Sequence, residues 1–150
     1  MNETWTTLVG NAATRPDFWE TAAGVAVARF RLAVTVRRWD RRSEAWADAH
    51  TSFYTVWTWR TLAANVAASV SLGEPLLVHG TLRVREREKE REREEAGQGA
   101  GEGESGPKRW VTAELDAMAV GHDLTRGTSA FRRVSQAKPL LNAPTGATSP

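Results

Sequence analysis

A chain of 150 residues holds one domain of ordinary size, and 41% hydrophobic with 25% charged residues leaves enough apolar side chain for a packed core. The absence of cysteine excludes disulfides, thiolate chemistry and thiolate-bound metal, and no apolar run reaches the length of a membrane span. A net charge of only +2 leaves attraction for a polyanion to local clusters of arginine, and seven tryptophans against one tyrosine imply a surface role for some of them.

The N-terminus, MNETWTTLVGN, has no signal-peptide pattern, so the cytosol is the expected compartment. Trp5–Asn11 reads as a first strand ending in a Gly-Asn turn. Ala12–Gly24, with Pro16 and the bulky pair Phe18 and Trp19, has room for a short irregular strand. Val25–Val36 is the longest clear strand. Its even positions (Ala28, Phe30, Leu32, Val34, Val36) form an apolar face, and its odd positions carry Arg29 and Arg31. Arg37–Ala49 reads as a polar loop, with Arg37, Arg38, Arg41 and Arg42 set between Trp39 and Trp46.

Thr51–Leu62 is the unusual stretch. As a strand it puts Phe53, Thr55, Trp57 and Trp59 on one face and Tyr54, Val56 and Thr58 on the other. If the smaller set packs inward, a row of rings stands on the surface, which is rare unless something flat lies on it. Nucleobases are flat. The pattern then changes period: Leu62, Val66 and Val70 recur at four-residue spacing, which predicts a short amphipathic helix over Arg60–Ser71, ended by Gly73 and Pro75.

Leu76–Val84 returns to strand, with Gly80 marking a bend or bulge. From Glu86 to Glu95 arginine and glutamate alternate. This puts like charges four apart on a helix but would place Arg83, Arg85, Arg87, Lys89, Arg91 and Arg93 on one face of an extended strand. A cationic ribbon and a solvated, self-neutralising loop both fit that run. A glycine-rich stretch leads to Pro107, and Trp110–Val120 is the last strand. Residues 123–150 are expected to be a disordered tail after a domain of residues 1–122 with a charged insertion at 86–107. The fold class is all-β. Five principal strands with one helix between the third and fourth is the order of the OB-fold, a small Greek-key barrel.

The residues also resemble a known family, the bacterial single-stranded DNA-binding proteins. The matching pieces are Leu8–Asn11 (LVGN), Pro16, Gly24–Ala33 (GVAVARFRLA), Thr51–Tyr54 (TSFY), Trp59–Ala63 (WRTLA), Gly73 and Gly80–Leu82 (GTL). The resemblance as a whole covers roughly residues 4–121. The resemblance implies an OB-fold, a homotetramer, no catalysis or cofactor, a nucleoid-associated location, and a role in coating exposed single strands during replication, recombination and repair. It places base-stacking rings at Trp39, Phe53 and Trp59. It does not extend to Trp57, which shares their face.

Two departures accompany it. The family's aromatic after the fourth strand has no counterpart near Arg85–Arg87, and its acidic C-terminal tip is absent from Gly146–Pro150 (GATSP). Recruitment of other proteins through such a tip is therefore not expected, and an accessory role is favoured over a housekeeping one.

The expected nucleic-acid-binding set is thus Trp39, Phe53, Trp57 and Trp59 with Arg29, Arg31, Arg37, Arg38, Arg60, Arg83 and Arg85. Rings bind bases without regard to sequence, and guanidinium groups pair with phosphate. Trp5 and Trp110 are read as packing or interface residues. His50, His79 and His122 lack metal-ligand spacing, and no phosphate-binding glycine loop opens a helix, so neither an enzyme nor a metal is indicated. The competing reading is an OB-fold interaction module whose aromatic face binds a polypeptide. The arginines between the rings are what that reading leaves unused.

Overall fold

The computed structural model describes residues 2–88 and 109–135. Its elements are β1 (Thr4–Ala12), β2 (Asp17–Glu20), β3 (Ala26–Asp40), β4 (Ala45–Trp59), α1 (Arg60–Ser69), β5 (Pro75–Glu88) and β6 (Arg109–His122). Five strands run in the order β1-β5-β6-β4-β3, and β3 closes back on β1 through Asn11–Ala33 and Ala12–Leu32. The result is the closed five-stranded OB-fold barrel, with α1 between its third and fourth barrel strands. The short β2 continues the β1 edge of β3, pairing Asp17–Glu20 with Arg29–Ala26.

The core follows the alternation of the sequence. Ala28, Phe30 and Leu32 of β3 and Val56 of β4 are buried with Leu76 and Val78 of β5, Leu115 of β6, and Ala63 and Val66 of α1. Thr58 is buried as well, and its hydroxyl donates to the Ala28 carbonyl at 2.9 Å, which satisfies a polar group that a closed interior would penalise. The helix stops at Ser69, two residues before the predicted end, because Val70 turns extended and sends its side chain into the core. Gly73 makes the turn that follows, with φ 86°, a conformation that disfavours any residue carrying a Cβ.

The segment Arg37–Ala49 is not a loop. β3 and β4 extend through it as a long hairpin, and only Arg41–Glu44 form the turn. Asp40 organises that turn by accepting from the Arg42 N–H and the Ser43 hydroxyl. The hairpin contains a bulge, since Val36 pairs with His50 and Arg37 with Asp48. Ala49 is the extra residue, and it reverses the face on which every earlier β4 side chain stands.

A second bulge lies where expected, at Gly80, where the pairing with β6 jumps from Ala119 to Ala117 and leaves Met118 exposed. A Cβ at residue 80 would run into the Asp116 carbonyl, so glycine lets the two strands close. β5 continues as a strand through Glu88, paired with Arg109. Residues 89–108, where the choice between ribbon and loop falls, lie outside the described residues, as do 136–150. Residues 123–135 contain neither helix nor strand, yet their start is tied down: the Asp123 N–H donates to the Pro75 carbonyl, and the His122 ring sits between Glu74 at 2.9 Å and Ser129 at 2.8 Å.

Candidate nucleic-acid interface

None of the seven tryptophans is among the fully buried residues: six are exposed and Trp57 is half-buried. Strand register says where they meet. On β4, Val56 and Thr58 fill the barrel, so Phe53, Thr55, Trp57 and Trp59 stand on its outer surface. Arg29 lies directly across from Trp57, Arg31 from Thr55, and Ala33 from Phe53. Two arginines of β3 are thereby interleaved with the rings of β4.

The contacts follow that register. Trp57 and Trp59 stack nearly parallel, with centroids 6.0 Å apart and planes 13° apart. The Arg29 guanidinium lies 5.4 Å from the Trp57 ring and 5.3 Å from that of Trp19, and it also reaches Asp17 at 3.3 Å. Trp19, on the short β2, meets Trp57 edge-on at 6.2 Å. Arg31 covers Phe53 at 4.8 Å. An exposed cation–π pair contributes about 0.5–1 kcal/mol, less than the about 1–3 kcal/mol of a stacked base. A base can therefore displace Arg31 from Phe53 and leave its guanidinium free to turn toward a phosphate.

The platform continues along the hairpin. Thr35 pairs with Thr51, Arg37 with Asp48 at 3.3 Å, and Trp39 with Trp46, whose rings meet edge-on at 5.8 Å. Trp39 and Trp46 are both more than half exposed, at 51% and 60%. Counting by twos along β4 would set Trp46 opposite Phe53; the bulge at Ala49 brings it to the same face. Beside the rings lies an open groove of about 820 Å³, bordered by Thr14, Arg29, Arg31, Thr55, Trp57 and Glu114.

The expected arginines are placed in different ways. Arg29 and Arg31 interleave with the rings. Arg37, Arg83 and Arg85 border the same surface but are paired with carboxylates: Arg37 with Asp48, Arg83 with Glu114 at 3.4 Å and Asp116 at 3.6 Å, Arg85 with Glu114 at 3.9 Å. Arg38 stands on the other face of the hairpin, across from Ala47, and so does not join the platform. Arg60 is exposed at the first residue of α1 with φ 57°, a left-handed conformation that costs a residue with a Cβ about 1–2 kcal/mol.

Three participants escape sequence reasoning. Trp19 sits on a strand of four residues, too short to show a period. Trp46 needs the bulge. Glu114 sits among its partners only because β6 lies between β4 and β5. Trp110, also on β6, is exposed on the strand position opposite Arg87. Among the described residues no cluster of His, Asp and Glu is arranged to hold a metal ion, and no helix is long and apolar enough to cross a membrane.

The sequence profile described as the Single-strand binding protein family matches residues 3–97. The chain is 53% identical over 135 residues to Single-stranded DNA-binding protein 2 of Streptomyces avermitilis, covering 90% of this chain and 75% of that one. It is 45% identical over 144 residues to Single-stranded DNA-binding protein 1 of Streptomyces coelicolor, covering 96% and 81%. Among solved structures, the small single-stranded DNA-binding protein of Streptomyces coelicolor superposes with a TM-score of 0.67 at 42% identity, covering 85% of this chain and all of that one. The second single-stranded DNA-binding protein of Mycobacterium smegmatis superposes at 0.60 with 26% identity, covering 87% and 99%.

Proposed function

The chain belongs to the single-strand binding protein family, and from that premise we propose that it binds single-stranded DNA without sequence preference, by stacking bases on Phe53, Trp57, Trp59 and Trp39. Arg29 and Arg31 accompany the backbone. The observation that carries this reading is the interleaving of arginine with ring across the β3–β4 register. A surface for a polypeptide has no need of cations between its rings, whereas a strand of alternating base and phosphate does. The role that follows is protection of exposed strands in replication, recombination or repair, as an accessory member working in the cytoplasm at the nucleoid. The working form is a homo-oligomer, a tetramer as in the family. Trp5 and the directly opposed pair Val9 and Leu77 on β1 and β5 supply exposed apolar surface that assembly would cover.

The experiment is a titration with oligo(dT), following tryptophan emission. Quenching is expected as bases stack, and a duplex of equal length should bind far more weakly because its bases are already stacked on each other. Log affinity should fall with log salt by about 0.7 for each phosphate neutralised. Equal affinity for duplex, or binding with no change in emission, would remove the stacking mechanism.

A further inference from the structure

Glu114 is an anion set into a surface read as the seat of a polyanion. It stands on β6, across from Thr55 on one side and Arg83 on the other, at an outward strand position. Even so, only 4% of it is exposed. Its carboxylate is fully engaged. Oε1 accepts the indole N–H of Trp57 at 3.2 Å and a guanidinium N–H of Arg83 at 3.4 Å, and lies 3.9 Å from Nε of Arg85. Oε2 accepts the Thr112 hydroxyl at 3.4 Å. With Asp116 on Arg83 at 3.6 Å, two carboxylates face two guanidiniums and the group is neutral.

Two consequences follow. The hydrogen bond from Trp57 fixes that ring's rotation at the place where it stacks on Trp59, so the orientation of the platform is set by a residue distant in sequence. The charge of Arg83 and Arg85 is spent on the protein's own carboxylates, although both side chains are nearly half exposed. We propose that Glu114 is a positioning residue that locks Trp57 for stacking and withholds Arg83 and Arg85 from phosphate, so that the backbone of a bound strand runs along the β3 side, past Arg31, while β6 meets bases. This rests on the single-strand reading above and adds to it a path for the strand.

The test uses the full chain and oligo(dT) titrations from 50 to 200 mM salt, comparing the native protein with Glu114→Gln and, separately, Arg85→Gln. Glutamine keeps an oxygen for the Trp57 N–H but leaves the group with one positive charge in excess. Glu114→Gln should therefore bind more tightly at low salt, with a log–log slope steeper by about 0.7, which loses the variant about 2.6-fold more affinity than the native protein over that fourfold salt range. Arg85→Gln should leave the slope unchanged, and it answers the question alone if Glu114→Gln does not fold. An unchanged slope for Glu114→Gln, or a slope shallower by about 0.7 for Arg85→Gln, overturns the proposal. A native protein that ignores oligo(dT) would instead refute the function itself.

Discussion

Phe53 offers the sharpest test of whether the rings stack on bases or cover an apolar partner. It is 48% exposed and lies under Arg31 at 4.8 Å, so it contributes little to the core. Truncation to alanine loses about half the transfer energy of a buried phenylalanine, about 1 kcal/mol, with a further 0.5–1 kcal/mol or so from the exposed cation–π pair. The folded state should tolerate that. A base stacked on the ring is worth about 1–3 kcal/mol, or about 5-fold to 160-fold in affinity. Two further substitutions separate the mechanisms. Phe53→Leu keeps apolar area but removes the π face; Phe53→Tyr keeps the face and adds only a hydroxyl. Oligo(dT) titrations of both should give native-like affinity for tyrosine and an alanine-like loss for leucine, with the salt slope unchanged in all three because no charge is altered. Leucine binding as well as phenylalanine would refute stacking at this position and favour a packing role.

Trp46→Ala should weaken oligo(dT) binding about as much as Trp39→Ala, because the bulge places both rings on one face. A loss confined to Trp39 in fluorescence titration would contradict that geometry. Glu74 gives a prediction about stability. Its carboxyl is held below the ordinary value of 4.5, first by the Ser71 N–H and then by His122. A lowered folded pKa stabilises above the unfolded value and is lost as pH falls through the folded one. The stability advantage of the native chain over Glu74→Gln, measured by urea unfolding, should therefore hold near pH 6 and shrink as pH drops below about 4.5. An advantage that grows on acidification would reverse the assignment.

What the sequence makes legible is whatever alternation alone decides. Val56 and Thr58 inward, Phe53, Trp57 and Trp59 outward, and Ala28, Phe30 and Leu32 of β3 inward follow from a period of two in strands with one buried face, whereas Val36, the last of that predicted face, is exposed. The hairpin beyond Val36 is different. Its residues, such as Asp48, Ala47 and Ala45, have weak strand preference, and they are extended because each faces a partner: Asp48 with Arg37, Ala47 with Arg38, Trp46 with Trp39, Ala45 with Asp40. Cross-strand pairs of that kind are invisible in a single segment. The bulge then inverts the parity on which any face assignment for Trp46 would rest. Glu114 is further out of reach, since its partners Trp57 and Arg83 are 57 and 31 residues away in the chain.

Those hidden carboxylates change how the platform works. The arginines singled out from sequence are expected to track the backbone of a strand whose bases stack on the rings. In the folded chain Arg29, Arg37, Arg83 and Arg85 each lie within 4 Å of an acid, at Asp17, Asp48 and Glu114. Exposed pairs such as Arg29–Asp17 and Arg37–Asp48 contribute about 0–1 kcal/mol, so a phosphate can compete for those guanidiniums, but it must first break a contact. The pair at buried Glu114 resists exchange, because a carboxylate left behind without partners is strongly destabilising. Rings carry no such counter-ion. Trp57 and Trp59 already present parallel faces, and Phe53 gives up only one exposed guanidinium. In the proposed binding mode, an overall charge of +2 and the carboxylate partners of Arg29, Arg37, Arg83 and Arg85 leave stacking as the main source of binding free energy.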